Sequence, residues 1–595
     1  MTIPSYSIND SGIAWNDYTF SGDVLRKIPG VYLANMYQPG DPSEIFFDGI
    51  GGNYTRYTLD GVALNEPTTS TMNLYHIPME FMNDVEYIDA LRAPIYDFNS
   101  TGALVNFKSQ SYSEQQPYSK IRHLEEPYNY LITDGVFSQN IGFNSNLDAG
   151  FERQTTDGRF LNSVYDGINI RAKYRYSIDS TKQFTLTELY YRTKGGMTGG
   201  AMPYAIDAST FDQFQINLRS QQADLTYLQH HLRAAYSQSD PVDSSNFISA
   251  TSYYDYYNFI FSDGGIPYSL TNHSRKYGLD SRGSQVNPLG RLNYGGEIER
   301  DEDTYNTSTS IPSVTRFSIY GDQEFRLFNF VTAGIFGRGD IVESKFYPAY
   351  GASFGVGSDE FKLELGGSSS RHLPSQSEKY FVTQNFTGNP GLTAETDRDF
   401  QLTVSGNAGD NVSYYIKPYF RSIDKPIYYR EVYNGKPAYP QISIVNLSSR
   451  DIYGLDLNAQ VSFWKLVADG KLNYTYEKVD GNQVYTLPKY SAEGELYLHE
   501  IMFDNHLNLK IGIRGSIVST FSGSEFYSQA LIYYPSNIDE FGPFGSSDVF
   551  LQAKIGDAIL YLTFFNIAGQ DYVLTPVYPA LDRSFGFGVN WNFLN

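Results

Sequence analysis

"YGLDLNAQVSFWKLVADGKLNYTYE", residues 453–477, decides the fold class. Tyr453, Leu455, Leu457, Ala459, Val461 and Phe463 fall on one face of an extended chain. Gly454, Asp456, Asn458, Gln460 and Ser462 fall on the other, because successive side chains of a strand point to opposite sides. Trp464-Lys465 makes a tight turn, and the pattern resumes with Ala468, Gly470, Leu472, Tyr474 and Tyr476 opposite Asp469, Lys471, Asn473 and Thr475. A soluble β-sandwich also alternates, but its hidden face is apolar and neutral. Here the strands approach the 9–11 residues a tilted membrane strand needs, and the second face is charged, as suits an aqueous lumen or the surface of a polar plug.

The same period governs the chain from about residue 115 onward. "HLNLKIGIRGSIV" (506–518) sets Leu507, Leu509, Ile511, Ile513 and Ile517 against Asn508, Lys510, Arg514 and Ser516. "RSFGFGVNWNFLN" (583–595) places Phe585, Phe587, Val589, Trp591 and Phe593 together in a final aromatic strand, similar to the signal that outer-membrane assembly machinery recognises. Connections alternate between short turns ("FWK", "IGDA") and long polar stretches such as "SDGGIPYSLTNHSRKYGLDSRGSQVNP" (262–288), which reads as a loop. Short turns on one rim and long loops on the other describe an outer-membrane barrel. About 480 residues at about 22 per strand and connection give roughly 22 strands, a lumen too wide for side chains to fill, so something must plug it.

Composition agrees. The 52 tyrosines and an aromatic content of 16% reward rings with an apolar body and a polar tip, which the girdles at a bilayer surface require. The most apolar run, "LFNFVTAGIF" (327–336), is far short of a membrane-spanning helix. The absence of cysteine removes disulfides and thiolate chemistry, and a net charge of −22 disfavours nucleic acid as a partner. "MTIPSYSIND" has neither the basic nor the apolar region of a signal peptide, so an exported protein is represented here in mature or trimmed form.

The first hundred residues read differently, as a small α/β module. Pro29-Gly30 stops a helix, Asp60-Gly61 is a turn between Tyr57-Leu59 and Val62-Leu64, and Pro78 suits the start of a short helix. In order and spacing, "DVLRKIPGVYL" (23–33), "EIFFDGI" (44–50), "YTLDGVALNEP" (57–67), "IPMEFMNDVEYI" (77–88) and "APIYDFNSTGALVNFKS" (93–109) resemble the plug of TonB-dependent outer-membrane receptors and transporters, with similarity to the vitamin B12 and iron-chelate transporters. "GNPGLTAETDRDFQL" (388–402), "PYFRSIDKPIYY" (418–429) and "VYPALDRSFGFGVNWNF" (577–593) are similar to barrel segments of that family. Three departures stand out. Asp48 occupies the place of the family's "IRG" arginine, which usually anchors plug to barrel; "GALVNF" has one glycine fewer than "GGVINI"; and residues 1–20 hold no clear TonB box, "TIPSYSI" being the nearest.

The expected fold is therefore mostly β: a large antiparallel transmembrane β-barrel of about 22 strands (114–595), occluded by a small N-terminal α/β plug domain (21–113) behind an extension (1–20) that could contact TonB. The resemblance implies residence in the outer membrane of a Gram-negative bacterium, a lipid bilayer around the barrel, and the inner-membrane TonB complex as partner. It also implies a ligand between plug apices and barrel loops. By motif alignment the apices carry Tyr37, Gln38, Asn65, Thr68, Thr69, Ser70, Asn73 and Tyr75, neutral donors, acceptors and rings that suit a corrinoid, glycan, peptide or neutral iron chelate. Loops around 195–220 and 260–312 would complete that site. "SYYDYYNFIFSDGG" (252–265) reads as an aromatic girdle or as rings that stack on ligand.

No cofactor, catalytic group or metal is expected. His230-His231 face opposite ways on a strand, and "ERDED" (299–303) reads as a solvated acidic loop. Glu477 with Asp480 has no accompanying nucleophile. Two functions follow: TonB-driven import of an extracellular ligand, or a transporter-like barrel that holds a surface protein or lipoprotein without transport.

Overall fold

The structure is a computed structural model of the chain; it describes all residues except 1–3, 113–114, 203–207, 266–267, 307–310, 329, 359, 433–440, 537–539 and 595. Twenty-two antiparallel strands, each paired with its neighbours in sequence, close into a barrel when Ser584–Leu594 pairs with Tyr118–Glu126, Trp591 opposite Ile121. One strand is interrupted: Asn482–Val484 and Tyr490–Met502 both pair with Leu466–Val479. The alternation read from the sequence is the alternation of the wall. Tyr453, Val461, Ile513, Ile517, Phe585 and Trp591 are exposed on the outside, whereas Asp456, Lys471 and Asn473 are buried inside.

The rims differ as the connections predict. Trp464-Lys465 and Gly556-Asp557 close one end in two residues, while 197–222, 373–394, 425–448, 519–543 and 566–583 crowd the other. The short-turn rim is the periplasmic one in barrels of this kind. The polar stretch 262–288 corrects the sequence reading. It holds no long loop; Tyr268–Asn287 is the longest strand, 20 residues, paired with Phe247–Asp263 and Gly290–Tyr305. "ERDED" likewise lies on a strand, with Glu299 and Asp303 buried inward. The extracellular part of these strands stands above the bilayer, so Thr271, His273 and Arg275 face water where lipid contact would demand apolar residues.

The plug fills the lumen. Its five-stranded sheet runs Tyr6–Asn9, Met82–Asp89, Ala103–Ser109, Thr55–Leu59, Val62–Ala63, with only the Thr55–Leu59 and Ala103–Ser109 pair parallel. A second sheet joins Val31–Ala34, Glu44–Phe47 and Ile50–Gly51. Short helices at Asp10–Ala14, Ser21–Leu25 and Ala93–Tyr96 pack beside them. Val24, Leu25, Val31, Phe47, Leu59, Val85, Val105 and Phe107 form the buried core. Asp60 (φ 49°) and Gly61 (φ 91°) make the predicted tight turn. Glycine suits position 61 because an L side chain is strained at that φ, and any Cβ would also displace the Arg282 guanidinium, 2.4 Å away. Gly30 (φ 80°) is favoured for the same backbone reason, with Asp456 Oδ2 at 2.5 Å from the Cβ position.

Barrel cations hold the plug largely by its backbone. Arg282 donates to Gly61 O (2.5 Å), Lys276 to Ala63 O (2.8 Å), Arg338 to Ile95 O (3.3 Å), Lys471 to Arg26 O (2.6 Å) and Val31 O (2.9 Å), and Lys173 to Gln110 O (3.1 Å). Each bond satisfies a carbonyl that a strand end or turn leaves without a ladder partner, which buried backbone requires.

Candidate functional site

The extracellular face of the plug is built from two loops. In 35–43, Asn35 Oδ1 accepts from Tyr37 N (2.8 Å) and Ser43 Oγ (3.1 Å), which fixes Tyr37 at φ 54°. Tyr37 Oη lies 3.3 Å from Tyr572 Oη, and Gln38 Oε1 accepts from Thr198 Oγ1 (3.1 Å). In 65–75, the Asn65 amide binds three backbone groups, Tyr57 N (2.8 Å), Thr55 O (3.0 Å) and Ser70 O (2.8 Å). Glu66 caps Thr68 N and Thr69 N, and Ser70 N closes the turn on Glu66 O. Thr68 Oγ1 reaches the barrel at Ser274 Oγ (2.6 Å) and Asp303 Oδ1 (3.0 Å). Asn73 Oδ1 accepts from Tyr75 N, and the Tyr75 ring stacks on Phe20 at 4.2 Å.

The eight apical residues therefore do not converge on one pocket. Tyr37, Gln38 and Tyr75 border a cavity of about 170 Å³ against one barrel wall. Asn73 borders a small one of about 30 Å³, Thr69 one of about 90 Å³, and Asn65 and Ser70 one of about 270 Å³ on the opposite side. Thr68 lines none of these cavities and is fully buried in its bonds to the wall. Asn65, Thr68 and Thr69 are occupied in shaping the loop.

What covers the apices is a hairpin, Ser524–Tyr527 with Ile532–Pro535, from one of the long connections of that rim. Phe526, Leu531, Ile532 and Tyr534 pack with Met36, Met197, Phe386, Ile442 and Tyr578 in an apolar cluster that continues onto the barrel strands at Tyr257 and Phe259. Ser524 Oγ donates to Glu44, Tyr533 Oη donates to Pro42 O (2.9 Å), and Arg219 pairs with Glu525. Burial pushes the Glu44 carboxyl up to about 8 and the Asp41 carboxyl up to about 7, and holds the His76 imidazole down at about 3. The sequence signal was present: Phe526-Tyr527 and the apolar run 530–534 on either side of Ser528-Gln529, inside a long connection.

The tyrosine-rich run splits by parity. Tyr254 and Ile260 face outward, while Tyr257, Phe259 and Phe261 are buried inside, Tyr257 Oη donating to Leu64 O (2.8 Å). His231 bonds Asp255 in the lumen, whereas His230 meets Glu188 on the outer face. Glu477 is paired with Arg450 (2.7 Å), and Asp480 Oδ1 accepts from Ser448 N and Ser449 N in a turn.

Plug and barrel are further joined by ion pairs. Asp48, the residue at the place of the expected arginine, pairs with Lys417, whose Nζ also lies 3.6 Å from Asp456 Oδ2; Lys417 and Asp456 are fully buried and Asp48 nearly so. The polarity of the anchor is reversed: the plug supplies the carboxylate and the barrel the cation. Glu80 sits between Lys120 and Arg122 and accepts from Tyr18. Arg26 pairs with Glu493 (2.7 Å), Lys27 with Glu495, and Arg92 with Glu364 (3.1 Å).

A 22-strand barrel closed by a seated N-terminal α/β domain is the architecture of the TonB-dependent receptors. Residues 8–104 match the family profile "TonB-dependent Receptor Plug Domain", and residues 359–595 match the profile described as "Putative porin". Among solved structures, the copper transporter OprC superimposes with a TM-score of 0.82 at 13% identity, over 99% of this chain and 100% of that one. The siderophore receptor PirA from Acinetobacter baumannii gives 0.77 at 12%, covering 100% of both chains. The FrpB iron transporter from Neisseria meningitidis gives 0.77 at 14%, over 99% of this chain and 100% of that one. At these identities the likeness is one of fold.

Proposed function

We propose that this protein imports an extracellular ligand across the outer membrane of a Gram-negative bacterium, by rearrangement of its plug under force from the TonB complex. The plug profile match, over a domain that fills most of the lumen, carries this reading: a barrel so filled passes a large ligand only when the plug yields. The ligand is an iron chelate, corrinoid, glycan or peptide, received at the apices around Tyr37, Gln38, Asn65, Thr68, Thr69, Ser70, Asn73 and Tyr75 once the 524–535 hairpin lifts. The protein performs no bond chemistry and needs no cofactor. Residues 1–20 would be the segment drawn by TonB, whose Tyr6–Asn9 is itself the edge strand of the plug sheet, with the rest of the plug at 21–113 and the barrel at 114–595.

One observation favours a second reading. The apices are covered by loops whose apolar residues Phe526, Leu531 and Ile532 are buried in one cluster with Met36 of the plug and Tyr257 and Phe259 of the barrel. A permanently closed face would suit a scaffold that holds a surface lipoprotein or other partner. Native extraction in mild detergent with mass spectrometry of what is retained separates the two. A stoichiometric small molecule, whose cellular accumulation stops when TonB is deleted, supports import. A retained protein without a small molecule, and no effect of TonB loss, supports the scaffold.

A further inference from the structure

The plug is not held equally on all sides. Toward strands Tyr268–Asn287 through Val331–Val342 Arg338 and Glu297 pair in a buried network, the same Arg338 binds the Ile95 carbonyl, and the cavity of about 270 Å³ on that side shares no lining residue with those on the opposite wall. Toward strands Ser449–Phe463 through Phe544–Ile555 a crevice separates plug from wall. Its upper part, the cavity of about 170 Å³, reaches Tyr128, Arg159 and Leu581 beside the long-loop rim. Its lower part is a cavity of about 890 Å³ against plug residues 4–9 and the periplasmic half of the wall. The two share Asn16, Lys27, Asn458, Asp469, Glu495 and Arg514, so they meet there.

The junction is polar throughout. Lys27 Nζ donates to Glu495, and Arg514 Nη2 lies 3.6 Å from Asp17 Oδ2. The Lys27 side chain is 46% exposed and that of Glu495 24%, against 0% and 3% for Lys417 and Asp48. Hydrated pairs of this kind exchange readily with water and salt, whereas dry ones do not. Carboxylates outnumber cationic side chains along the upper cavity and the reverse holds along the lower one, so the crevice is charged and hydrophilic along its length.

We infer that this crevice is a solute path in its own right, carrying small hydrophilic solutes past the seated plug, with the Lys27–Glu495 pair as its constriction. The path goes beyond ligand import and requires neither ligand nor TonB, so its failure leaves that reading standing.

The test uses the full chain in planar bilayers with potassium chloride as the probe. K27A/E495A widens the junction without leaving an unpaired charge. D48N/K417M removes a plug–barrel pair that borders neither part of the crevice. The expected result is a conductance at least about tenfold above wild type for K27A/E495A and no comparable change for D48N/K417M. Wild-type conductance in K27A/E495A overturns the inference, and so does an equal rise in both variants. Should K27A/E495A fail to fold by heat-modified mobility, a single cysteine decides, since the chain has none of its own. In the otherwise unaltered protein S546C, in the crevice, reacts with a charged methanethiosulfonate, and S368C, facing the plug on another wall, does not. An unreactive S546C overturns the path.

Discussion

Replacing Lys417 by methionine is the most informative single change to the plug's seat. The substitution keeps the length and volume of the side chain but leaves Asp48 and Asp456 facing each other without the ammonium that lies between them. All three groups are essentially inaccessible to water, so the cost is that of breaking a buried pair from one side, about 3–5 kcal/mol. Because the pair spans plug and barrel, the cost falls on seating and not on the strands, whose ladder is intact. A free-energy loss of that size raises the population of the unseated plug roughly a hundredfold to a few thousandfold. Hydrogen exchange of Val31–Ala34 and Glu44–Phe47 in detergent reads this population directly, and so does proteolysis within the plug. Removing both charges, D48N/K417M, should recover most of the loss, and the exchanged pair D48K/K417D part of it. Plug amides in K417M as protected as in wild type would refute the assignment of Asp48–Lys417 as the anchor. So would a K417M phenotype that D48N fails to relieve.

Other consequences are as direct. Asn65→Ala removes three buried bonds to backbone, at about 1 kcal/mol each, and should loosen amides 64–75 in exchange measurements even without ligand; unchanged protection would return Asn65 to a purely ligand-facing role. The folded protein keeps the Glu44 proton up to about 8, while an unfolded glutamate loses it near about 4.3, so more protons are bound in the closed state and closure weakens as pH rises through that interval. Exchange at 524–535, corrected for intrinsic rates, should be faster at about pH 9 than at about pH 5, and E44Q should flatten that difference. Ile319, 72% exposed in the middle of its strand, faces lipid, so Ile319→Arg should cost about 2–4 kcal/mol and reduce the folded barrel recovered from membranes; normal recovery would place Ile319 away from the bilayer centre.

The barrel was legible because lipid imposes a strict demand on one face. Tyr453 to Phe463 and Ile511 to Ile517 alternate as read, and each points outward. Legibility ended where lipid ends. In Tyr268–Asn287 the upper outward residues face water and the inward ones, Ser274, Lys276 and Arg282, face a polar plug, so neither face is apolar and the strand reads as a loop. The plug was legible through its turns, Asp60-Gly61 above all. For the apical loops, a residue's type does not tell whether its amide or hydroxyl is spent on its own backbone, as that of Asn65 is. Nor could the partner of Asp48 be found by spacing, since Lys417 stands 369 positions away.

The cations that reach from the wall to the plug carbonyls at Arg26, Val31, Gly61, Ala63 and Ile95 read the path of a chain and not its side chains. Every residue has a carbonyl, so substitutions at Val31, Ala63 or Ile95 leave those recognition points in place. Part of the memory of how the two domains fit is thereby written in one of them. Plug surfaces that meet ligand are free to diversify, whereas Lys276, Arg282, Arg338 and Lys471 are not, and a foreign plug should seat in this barrel when it follows the same backbone trace and keeps the carboxylates of Asp48 and Glu80.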